Sequence, residues 1–399
     1  MKNRLIILGL GLSTPGTMGG NSKIAIETAH HLAEKREVHF IVPEVKLQTL
    51  TDNVNPEHRI HIHTLPSFPH SDIRHPLASI KWYLPKIRAL FKEIAVNSDD
   101  IAYGCSDFHV DVIPLYLLQK SFGFRWIPSL FLFIPAPHEN LLGKYHFPLL
   151  KYTIYWFYQR ALFALMKHRA IGFVVTNESD FHHFPARFST HLFAYYGGVN
   201  VTQIPSPNTF MPPSKRTYDV IFCSRLHPQK GIAFFLDVWA QVLKRLPASR
   251  LAVIGNGTTD YERHLKKKAR HLGLEKSIAW LGYVNNEAKY RLYANSRIHV
   301  HPTVFDNNGM VAAEALCTGL PVVMQDLPAL QKIYTTGCTK VPVGDWQAFG
   351  ETIITLLSDQ AKYRAVAPTP VQIAALREHW AWESRAAEFD NWIDSLMAK

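Results

Sequence analysis

The feature that most constrains the fold is an alternation of short apolar segments with longer stretches of helical periodicity, which occurs twice along the chain. Short apolar segments of this kind are typical of buried parallel strands, and the stretches between them are typical of the helices that cover such a sheet. The sequence therefore predicts an α/β protein. The first series of predicted strands comprises Leu5–Leu12, Val38–Val42, Ile60–Thr64, Ile101–Tyr103, Trp126–Phe133, Ile171–Thr176 and Phe193–Tyr196, with a helix over Lys23–Lys35.

A proline-rich segment separates the two series. Residues 202–217 hold four prolines, and neither periodicity can continue through them. With 399 residues, of which 47% are hydrophobic, the chain is long enough for two cores. We expect Rossmann-like domains over residues 1–203 and 218–370, joined by a linker over 204–217. The second series comprises strands Asp219–Cys223, Arg250–Ile254, Ser277–Leu281, Ile298–His301 and Pro321–Met324, and helices Gly231–Arg245, Tyr261–Leu272 and Met310–Thr318.

The last segment, residues 371–399, has apolar residues at mostly helical spacing. We expect a helical segment that docks back on the N-terminal domain. The alternative is a surface helix that closes the second domain.

The charge balance indicates an anionic partner. The formal net charge is +11 and the isoelectric point is near 9.4, which suits a phosphorylated ligand or an anionic lipid. No basic run interleaved with aromatic residues and no nucleic-acid-binding module stands out, so we expect no nucleic-acid partner.

Cysteine usage and the first residues predict a cytoplasmic protein. The four cysteines are far apart and form no C-x-x-C pair, which argues against a disulfide framework and a zinc cluster. The apolar run Leu5–Leu12 leads into glycine-rich turn chemistry without a cleavage site, so we interpret it as a strand rather than a signal peptide. His109 has no second histidine at ligand spacing, and we expect no metal site.

The glycine-rich loop after the first predicted strand does not fit a dinucleotide site. Gly9 and Gly11 begin the G-x-G-x-x-G pattern, but Thr14 occupies the third glycine position, which argues against an NAD-dependent oxidoreductase. Gly19 and Gly20 stand where a helix begins, and free backbone N–H groups there would suit a phosphate or a substrate hydroxyl. A purely structural turn is the alternative.

The second predicted domain opens with a strand that leads to two cations. Arg225 and Lys230 are five residues apart between a strand end and a helix start, where two positive charges would match a diphosphate. A solvated basic loop is the alternative.

A second block runs from His301 to Val323. A strand, an Asn-rich loop, Gly309, a short helix and Gly-x-Pro follow in order, with Asp306 before the helix and Glu314 within it. The glycine would let an anion approach the helix N-terminus. Glu314 lies in an otherwise apolar helix and needs a partner if buried, which is either a pair of ligand hydroxyls or a neighbouring Arg or Lys.

These motifs, in this order, resemble the family-4 retaining glycosyltransferases of the GT-B fold. The resemblance covers nearly the whole chain and is strongest over residues 219–343. It implies two facing Rossmann-like domains with a cleft between them. The motifs that carry it are Gly-Gly at 19–20, Tyr-Gly-Gly-Val-Asn at 196–200, Ser-Arg-Leu-x4-Gly at 224–231, Ile-Gly-Asn-Gly at 254–257, Leu-Gly-Tyr-Val at 281–284, and acidic-x7-Glu at 306–314 followed by Gly-x-Pro-Val-Val.

The resemblance implies a role for each candidate site residue. The donor is a nucleotide diphosphate-sugar, with UDP favoured, and no cofactor or metal is needed. Arg225 and Lys230 would hold the diphosphate, Asp306 and His138 would lie near the transferred sugar, and Glu314 would bind the ribose hydroxyls. The remaining donor-binding residues would be Gly309, Met310 and Val311 at the phosphates, Gly19 and Gly20 at the diphosphate and acceptor, and Tyr283 and Val284 beside the base.

The sequence departs from the family pattern in the acidic block. The first acidic position is usually Glu, whereas Asp306 is one methylene shorter, and Asn307-Asn308 stands where Pro-Phe is frequent. These differences bear on the accepted sugar. Two other functions are therefore weighed: a non-catalytic sugar-nucleotide- or polysaccharide-binding protein, and a UDP-sugar epimerase.

Two segments of the first domain combine aromatic and basic residues, which suits the surface of an anionic membrane. We expect peripheral contact at the inner face of a membrane, and an acceptor hydroxyl on a lipid-linked or envelope glycan. The alternative is that both are core helices with ordinary basic outer faces, since Pro85 interrupts the first. The segments are Ala78–Lys92, and Leu142–Lys167 with Lys144, Lys151, Arg160, Lys167 and, just beyond it, Arg169.

Overall fold

The computed structural model describes residues 2–12, 19–51, 59–138, 149–206 and 211–398. Thr14, Lys144 and the first part of the segment 142–167 lie outside the described residues. The chain divides into two compact units, one formed by residues 1–197 with 382–399 and the other by residues 198–381.

The first unit is built on a parallel sheet. Its strands have the spatial order β3-β2-β1-β4-β5-β6-β7. The central strands are buried on both faces, which explains why they occur in the sequence as continuous apolar runs. The strands are β1 (Leu5–Leu8), β2 (Val38–Pro43), β3 (Ile60–Leu65), β4 (Ile101–Gly104), β5 (Arg125–Leu130), β6 (Phe173–Val175) and β7 (Leu192–Ala194).

Helices cover this sheet, and each buries an apolar face. On α3 the buried side chains include Tyr83, Ile87 and Phe91, which recur every four residues. The helix continues through Pro85, whereas the sequence indicated an interruption there. Proline has no N–H to donate to the preceding turn, and the packing of this buried face offsets the lost hydrogen bond. The helices are α1 (Gly20–Leu32), α2 (Glu44–Thr51), α3 (Pro76–Glu93), α4 (His109–Phe122) and α5 (Leu149–Arg169).

The second unit has a parallel sheet of the order β10-β9-β8-β11-β12-β13. The order reverses between β8 and β11, so the loops that follow these two strands are neighbours at the carboxyl edge of the sheet. The strands are β8 (Tyr218–Cys223), β9 (Leu251–Ile254), β10 (Ile278–Gly282), β11 (Ser296–His301), β12 (Val322–Gln325) and β13 (Cys338–Val341).

The helices of the second unit are more numerous than the sequence patterns indicated. The amphipathic α6 buries Ile232, Phe235 and Trp239 against the sheet. The helices are α6 (Ile232–Arg245), α7 (Thr259–His271), α8 (Asn286–Ala294), α9 (Met310–Cys317), α10 (Pro328–Gln331), α11 (Trp346–Ser358), α12 (Gln360–Val366) and α13 (Pro370–Trp380).

The unit boundaries differ from the predicted domain limits. The chain passes from the first unit to the second after Gly197, so the predicted linker 204–217 belongs to the second unit. The N–H of Val199 donates to the carbonyl of Trp380 (2.7 Å), which ties both ends of the second unit together. The predicted C-terminal segment 371–399 is two helices, and only the second belongs to the first unit.

That last helix, α14 (Trp382–Met397), is anchored by charge. Asp390 lies almost fully buried between Lys2 Nζ (2.6 Å) and Arg36 Nε (2.5 Å). Phe389 packs against the rings of Tyr103 and Tyr195. A helix from the end of the chain thus completes the core of the first unit.

None of the helices among the described residues has the length and hydropathy that a membrane-spanning segment requires.

Candidate functional site

Two loops are held against each other at the carboxyl edge of the second sheet. Gly231 has a φ of +70°, and a Cβ there would lie 1.9 Å from the carbonyl oxygen of Pro302, so only glycine fits. The side-chain amide of Gln229 donates to the carbonyl of Phe305 (2.6 Å), and the N–H of Val304 donates to the carbonyl of Gln229 (3.1 Å). The loop after β8 and the loop after β11 are therefore one rigid platform.

Lys230 and Asp306 meet on this platform. The Lys230 Nζ lies 2.8 Å from Asp306 Oδ2, and His301 Nε2 lies 3.2 Å from the same oxygen. The N–H of Asn307 donates to the other carboxylate oxygen (2.9 Å). Burial would raise the pKa of Asp306, but the charge of Lys230 and the bonds from His301 and Lys230 outweigh it and hold that pKa far below its usual range. Asp306 is a fixed anion.

The helix α9 begins directly after this carboxylate. Gly309 precedes it with a φ of +63°, and the hydroxyl of Tyr334 donates to the carbonyls of Asn308 (2.8 Å) and Gly309 (2.9 Å). The amides of Met310 and Val311 are in the first turn, where a helix has no internal acceptors for them. This end of α9 carries positive partial charge and suits an anion.

Glu314, one turn further along α9, pairs with Lys289 of α8. The Lys289 Nζ lies 2.8 Å from Glu314 Oε1, and the Glu314 side chain is only 4% exposed. Burial opposes the charge on Lys289, but the Glu314 carboxylate outweighs it and raises the pKa of the amine above its usual value. Of the two partners that the sequence left open, the structure provides the lysine.

Arg225 and Tyr283 are exposed. The loop that carries Arg225 is fixed by the N–H of Leu226, which donates to the carbonyl of Asn256 (2.8 Å). Arg225 itself makes no ion pair with the residues that the structure describes. Tyr283 is 74% exposed, an unusual position for an aromatic ring, and Val284 beside it is half-buried.

A concave pocket of about 240 Å³ opens between the ends of β8, β9 and β10. Its wall combines an indole ring and leucine side chains with an amide and a cation, the mixture that suits a planar polar ring. The lining residues are Leu226, Gly255, Asn256, Glu262, Lys266, Trp280, Leu281 and Gly282.

The carboxyl edge of the first sheet is built around Asp111, which lies fully buried in the first turn of α4. Its carboxylate accepts from the N–H groups of Leu10 (2.8 Å) and Gly11 (3.2 Å) and from the hydroxyl of Ser106. Burial outweighs these bonds and the charge of Lys46 and raises the pKa of Asp111 to about 7. This carboxyl group fixes the start of the glycine-rich loop.

The other predicted residues of the first domain lie near the same edge. Gly19 is the N-cap of α1 and Gly20 is its first residue. His138 is exposed and is the last residue that the structure describes after β5. The buried Gln159 of α5 accepts from the N–H of Ile134 (2.9 Å), so the segment that leads to His138 is anchored to that helix.

His109 is a structural residue. Its Nε2 lies 3.0 Å from the Ser79 hydroxyl, which donates to the carbonyl of Pro76, so Nε2 carries the proton. Its Nδ1 then accepts from the hydroxyl of Tyr158 (2.5 Å). Burial lowers the pKa of His109 to about 4. Both ring nitrogens thus have hydrogen-bond partners within the first unit.

Four residues of these two edges were missed by sequence reasoning. His301 and Lys289 could not be predicted because their carboxylate partners are distant in sequence. Asp306 is 5 residues from His301, and Glu314 is 25 residues from Lys289. Asp111 gives a clearer signal, since an acidic residue in the first turn of a predicted helix is typical of capping. Gln159, which is buried within a helix rich in aromatic residues, gives no such signal in the sequence.

The comparisons with known proteins agree with this geometry. The family model described as glycosyl transferases group 1 matches residues 217–359, which include both ion pairs and the helix α9. Residues 217–359 are therefore similar to the group 1 glycosyl transferases. The resemblance stated from the sequence motifs is thus confirmed at the level of this group.

Proteins similar to this chain include members from archaea and bacteria. An uncharacterized glycosyltransferase of Methanocaldococcus jannaschii is 32% identical over 29% of this chain and 28% of its own length. An uncharacterized glycosyltransferase of Haemophilus influenzae is 22% identical over 79% of both chains. A phosphatidyl-myo-inositol mannosyltransferase of Mycobacterium leprae is 29% identical over 43% of this chain and 46% of its own. The chain thus spans less than half the length of two of these three relatives.

Solved structures match the whole chain. Sucrose-phosphate synthase from Thermosynechococcus elongatus aligns with a TM-score of 0.79 at 16% identity and covers 100% of both chains. HepE of Anabaena in complex with UDP-glucose aligns with a TM-score of 0.73 at 16% identity, over 98% of this chain and 99% of the other. The fold is the GT-B fold that the sequence predicted.

Proposed function

We propose that the protein is a retaining glycosyltransferase that moves a sugar from a nucleotide diphosphate-sugar, with UDP favoured, to a hydroxyl acceptor. The observation that carries this proposal is the platform of the second unit, whose two loops carry Arg225, Lys230 and Asp306 and lead to the N-terminus of α9. The charge of Lys230 is balanced by Asp306. Arg225 and the helix N-terminus therefore supply the excess positive potential.

The slow step is the departure of the diphosphate. Negative charge grows on its oxygens as the bond to the sugar C1 breaks, and preorganised donors that meet this charge lower the barrier. Lys230 has three N–H donors and uses one on Asp306, which leaves donors for the phosphates. These groups replace the charge of a divalent cation, so we propose a metal-independent transfer.

The acceptor attacks C1 from the face that the diphosphate leaves. The new bond from the acceptor oxygen to C1 forms as the old bond breaks, and a departing phosphate oxygen takes the hydroxyl proton. The configuration at C1 is thereby retained. Asp306 would lie beside the phosphates, where its fixed carboxylate would accept a hydrogen bond from a sugar hydroxyl, and His138 would lie near the same sugar.

The nucleoside would occupy the remaining part of the second unit. Glu314, whose Oε1 pairs with Lys289, would bind the ribose hydroxyls. The exposed ring of Tyr283, with Val284, would cover a base that enters the pocket lined by Trp280 and Leu281. UDP is favoured because HepE, which has the same fold, was solved with UDP-glucose.

The acceptor is proposed to be a lipid-linked or envelope glycan. This rests on relatives described as a phosphatidyl-myo-inositol mannosyltransferase and a poly(glycerol-phosphate) alpha-glucosyltransferase. It is supported by α5, whose residues Leu150, Ile154 and Phe157 form one exposed apolar face, with exposed fractions of 76%, 60% and 63%. Lys151 beside them is also exposed.

Such a face suits peripheral contact with the inner surface of an anionic membrane. The large aromatics of α3, by contrast, pack inward, so α5 is the better candidate of the two segments. We expect co-sedimentation with phosphatidylglycerol vesicles at low salt that weakens as salt rises. The double variant Ile154→Ser with Phe157→Ser should lose it, whereas Val371→Ser, an exposed apolar residue of the other unit, should not. No co-sedimentation of the wild type would remove the membrane from the proposal.

Two measurements test the proposed reaction. Calorimetry with UDP, GDP and ADP should give the tightest binding for UDP. The anomeric configuration of the product, read by NMR, should equal that of the donor. Inversion would contradict the mechanism, nucleotide binding without turnover would indicate a binding protein, and an isomerised sugar formed without an acceptor would indicate an epimerase.

A further inference from the structure

Strands β2 and β3 of the first unit bring together three histidines and a glutamate that the proposed transfer does not use. Glu37 directly precedes β2, His39 is its second residue, and His61 and His63 stand two apart on β3. His39 and His61 are direct partners in the parallel register. Glu37, His39 and His61 lie at the amino-terminal ends of these strands, the opposite edge from the loops described above.

Three of these side chains point at one place. The Nε2 of His39 lies 2.8 Å from Glu37 Oε1, and the Nε2 of His61 lies 4.0 Å from the same oxygen. One ligand atom from each residue falls within 4.8 Å of the other two. The rings of His39 and His61 are stacked with centroids 4.8 Å apart.

From this arrangement we infer a zinc site with Glu37, His39 and His61 as its ligands. Imidazole nitrogen and carboxylate oxygen are ligands that Zn²⁺ prefers. Bonds of about 2.0–2.1 Å in a tetrahedron require ligand atoms about 3.3 Å apart. The Glu37 Oε1 atom lies 2.8 Å from His39 Nε2, closer than this spacing, and 4.0 Å from His61 Nε2, further than this spacing. Side-chain rotations would bring the three atoms to the required spacing, with water as the fourth ligand.

His63 fits the role of a positioning residue. Its Nε2 lies 2.9 Å from His39 Nδ1, the nitrogen that would not bind the metal. With Zn²⁺ on Nε2, the proton of the His39 ring is on Nδ1 and donates to His63. A hydrogen bond of this kind orients a metal-binding histidine, and its loss typically costs about 10–100-fold in metal affinity.

The surroundings make the cluster accessible yet rigid. His39 is nearly buried, while the side chains of Glu37 and His61 are 45% and 56% exposed, so an ion can enter from solvent. The carbonyl of Glu37 accepts from the N–H of Leu5 (2.9 Å), which fixes its backbone. The nearby cation Arg4 is engaged by Asp100 (2.7 Å), so its charge is already neutralised.

The position indicates a structural ion rather than a catalytic one. In the described sheet β3 is an edge strand that pairs only with β2. A metal bound by residues of both strands would cross-link that edge to the rest of the sheet. Because it would bind the folded unit and not the unfolded chain, it would raise the melting temperature.

The test uses the full chain, stripped of metal with EDTA and exchanged into chelator-free buffer. Calorimetric titration with Zn²⁺ should give one ion per chain, and Zn²⁺ should raise the Tm by several degrees. Mg²⁺, which prefers an all-oxygen octahedral site, should do neither. Absence of saturable Zn²⁺ binding would overturn the inference.

Variants separate this site from adventitious binding by the other histidines. His61→Ala and Glu37→Gln change exposed side chains and should weaken Zn²⁺ binding at least about 10-fold and abolish the Tm shift, and His63→Ala should weaken it about 10–100-fold. His271→Ala removes an exposed imidazole from the other unit and should change nothing. Equal affinity of the wild type, His61→Ala and Glu37→Gln would show that the cluster is not the site.

Discussion

The carboxyl edges of the two sheets have the same topology but opposite electrostatics. In the second unit the polar side chains are charged and paired, as Lys230 with Asp306 and Lys289 with Glu314. In the first unit the central carboxyl group, Asp111, is bound by backbone N–H groups and a hydroxyl, and its pKa is raised to about 7. Burial also lowers the pKa of Lys46 there.

This difference indicates which of the two units suits which substrate. A platform of fixed charges beside a helix N-terminus is preorganised for a diphosphate, whose own charge changes during the reaction. An edge whose ionisable groups are held close to neutrality suits an acceptor hydroxyl, which carries no charge. The two units would thus divide the reaction between leaving group and nucleophile.

The largest effect is expected from the cations of the second unit. Arg225→Ala or Lys230→Ala should lower kcat/KM by roughly 10²–10³, because each removes a contact to charge that grows in the transition state. Steady-state kinetics with the preferred donor measures it. Lys267→Ala removes an exposed cation of the same unit and is the matched control. Turnover like that of the wild type in both variants would remove the two residues from the mechanism.

A smaller effect is expected at the ribose end. Glu314→Gln should weaken nucleotide binding by about tenfold or more, since hydrogen bonds to a charged group contribute about 1.5–3 kcal/mol. Calorimetry with UDP measures the affinity, and circular dichroism checks the fold. Lys289→Gln serves as the comparison, because it breaks the same ion pair but keeps the carboxylate. Equal loss in both variants would show that Glu314 acts only through its pairing with Lys289.

The neutral edge predicts a pH dependence. The folded-state pKa of Asp111 is about 7, whereas the ordinary value is 3.8, so as pH rises the folded state keeps this proton after the unfolded chain has lost it. The contribution of this proton to the free energy of unfolding is fully present below about pH 4 and is lost as pH rises to about 7. Between these values the free energy of unfolding falls by at most about 1.4 kcal/mol per pH unit.

Asp111→Asn mimics the protonated side chain and should remove this loss. The urea midpoint of the wild type should therefore fall relative to that of the variant between pH 4 and pH 7. If the urea midpoints of the two proteins changed in parallel between pH 4 and pH 7, Asp111 would be ionised over this whole range. The electrostatic difference between the carboxyl edges of the two sheets would then not exist.

The smallest effect is expected from chelation. EDTA should leave the transfer rate unchanged at temperatures well below unfolding, because cations of the chain stabilise the leaving group. Loss of activity that Mn²⁺ or Mg²⁺ restores would contradict this. The proposed zinc site would reveal itself under the same conditions only in the melting temperature.

The strands could be predicted because burial on both faces makes them continuous apolar runs. Ile60–Leu65 and Tyr218–Cys223 differ from their predicted bounds by one residue at one end. The strand Cys338–Val341 was missed because it is only partly buried and carries Thr339 and Lys340. The point where the chain changes units is set by contacts such as that of Val199 with Trp380, which proline content does not reveal.

The candidate site was predictable only where the sequence carries motifs. Arg225, Lys230, Asp306 and Glu314 stand at fixed spacing along loops and one helix. The pairing of Glu314 with Lys289, and the cluster of Glu37, His39 and His61, depend on which elements become neighbours in space. Local patterns contain no information about such pairs unless strand register is known.

We propose above all that the second unit binds a nucleotide-sugar and releases the nucleoside diphosphate as the sugar is transferred. The most direct test is a mass-spectrometric screen of the purified protein with UDP-, GDP- and ADP-sugars, alone and with hydroxyl acceptors that include lipid-linked glycans. We expect release of the nucleoside diphosphate, strongest with a UDP-sugar, and a new product that is heavier by one sugar residue and that Lys230→Ala forms far more slowly. Every donor recovered intact, or a rate unaffected by Lys230→Ala, would contradict it.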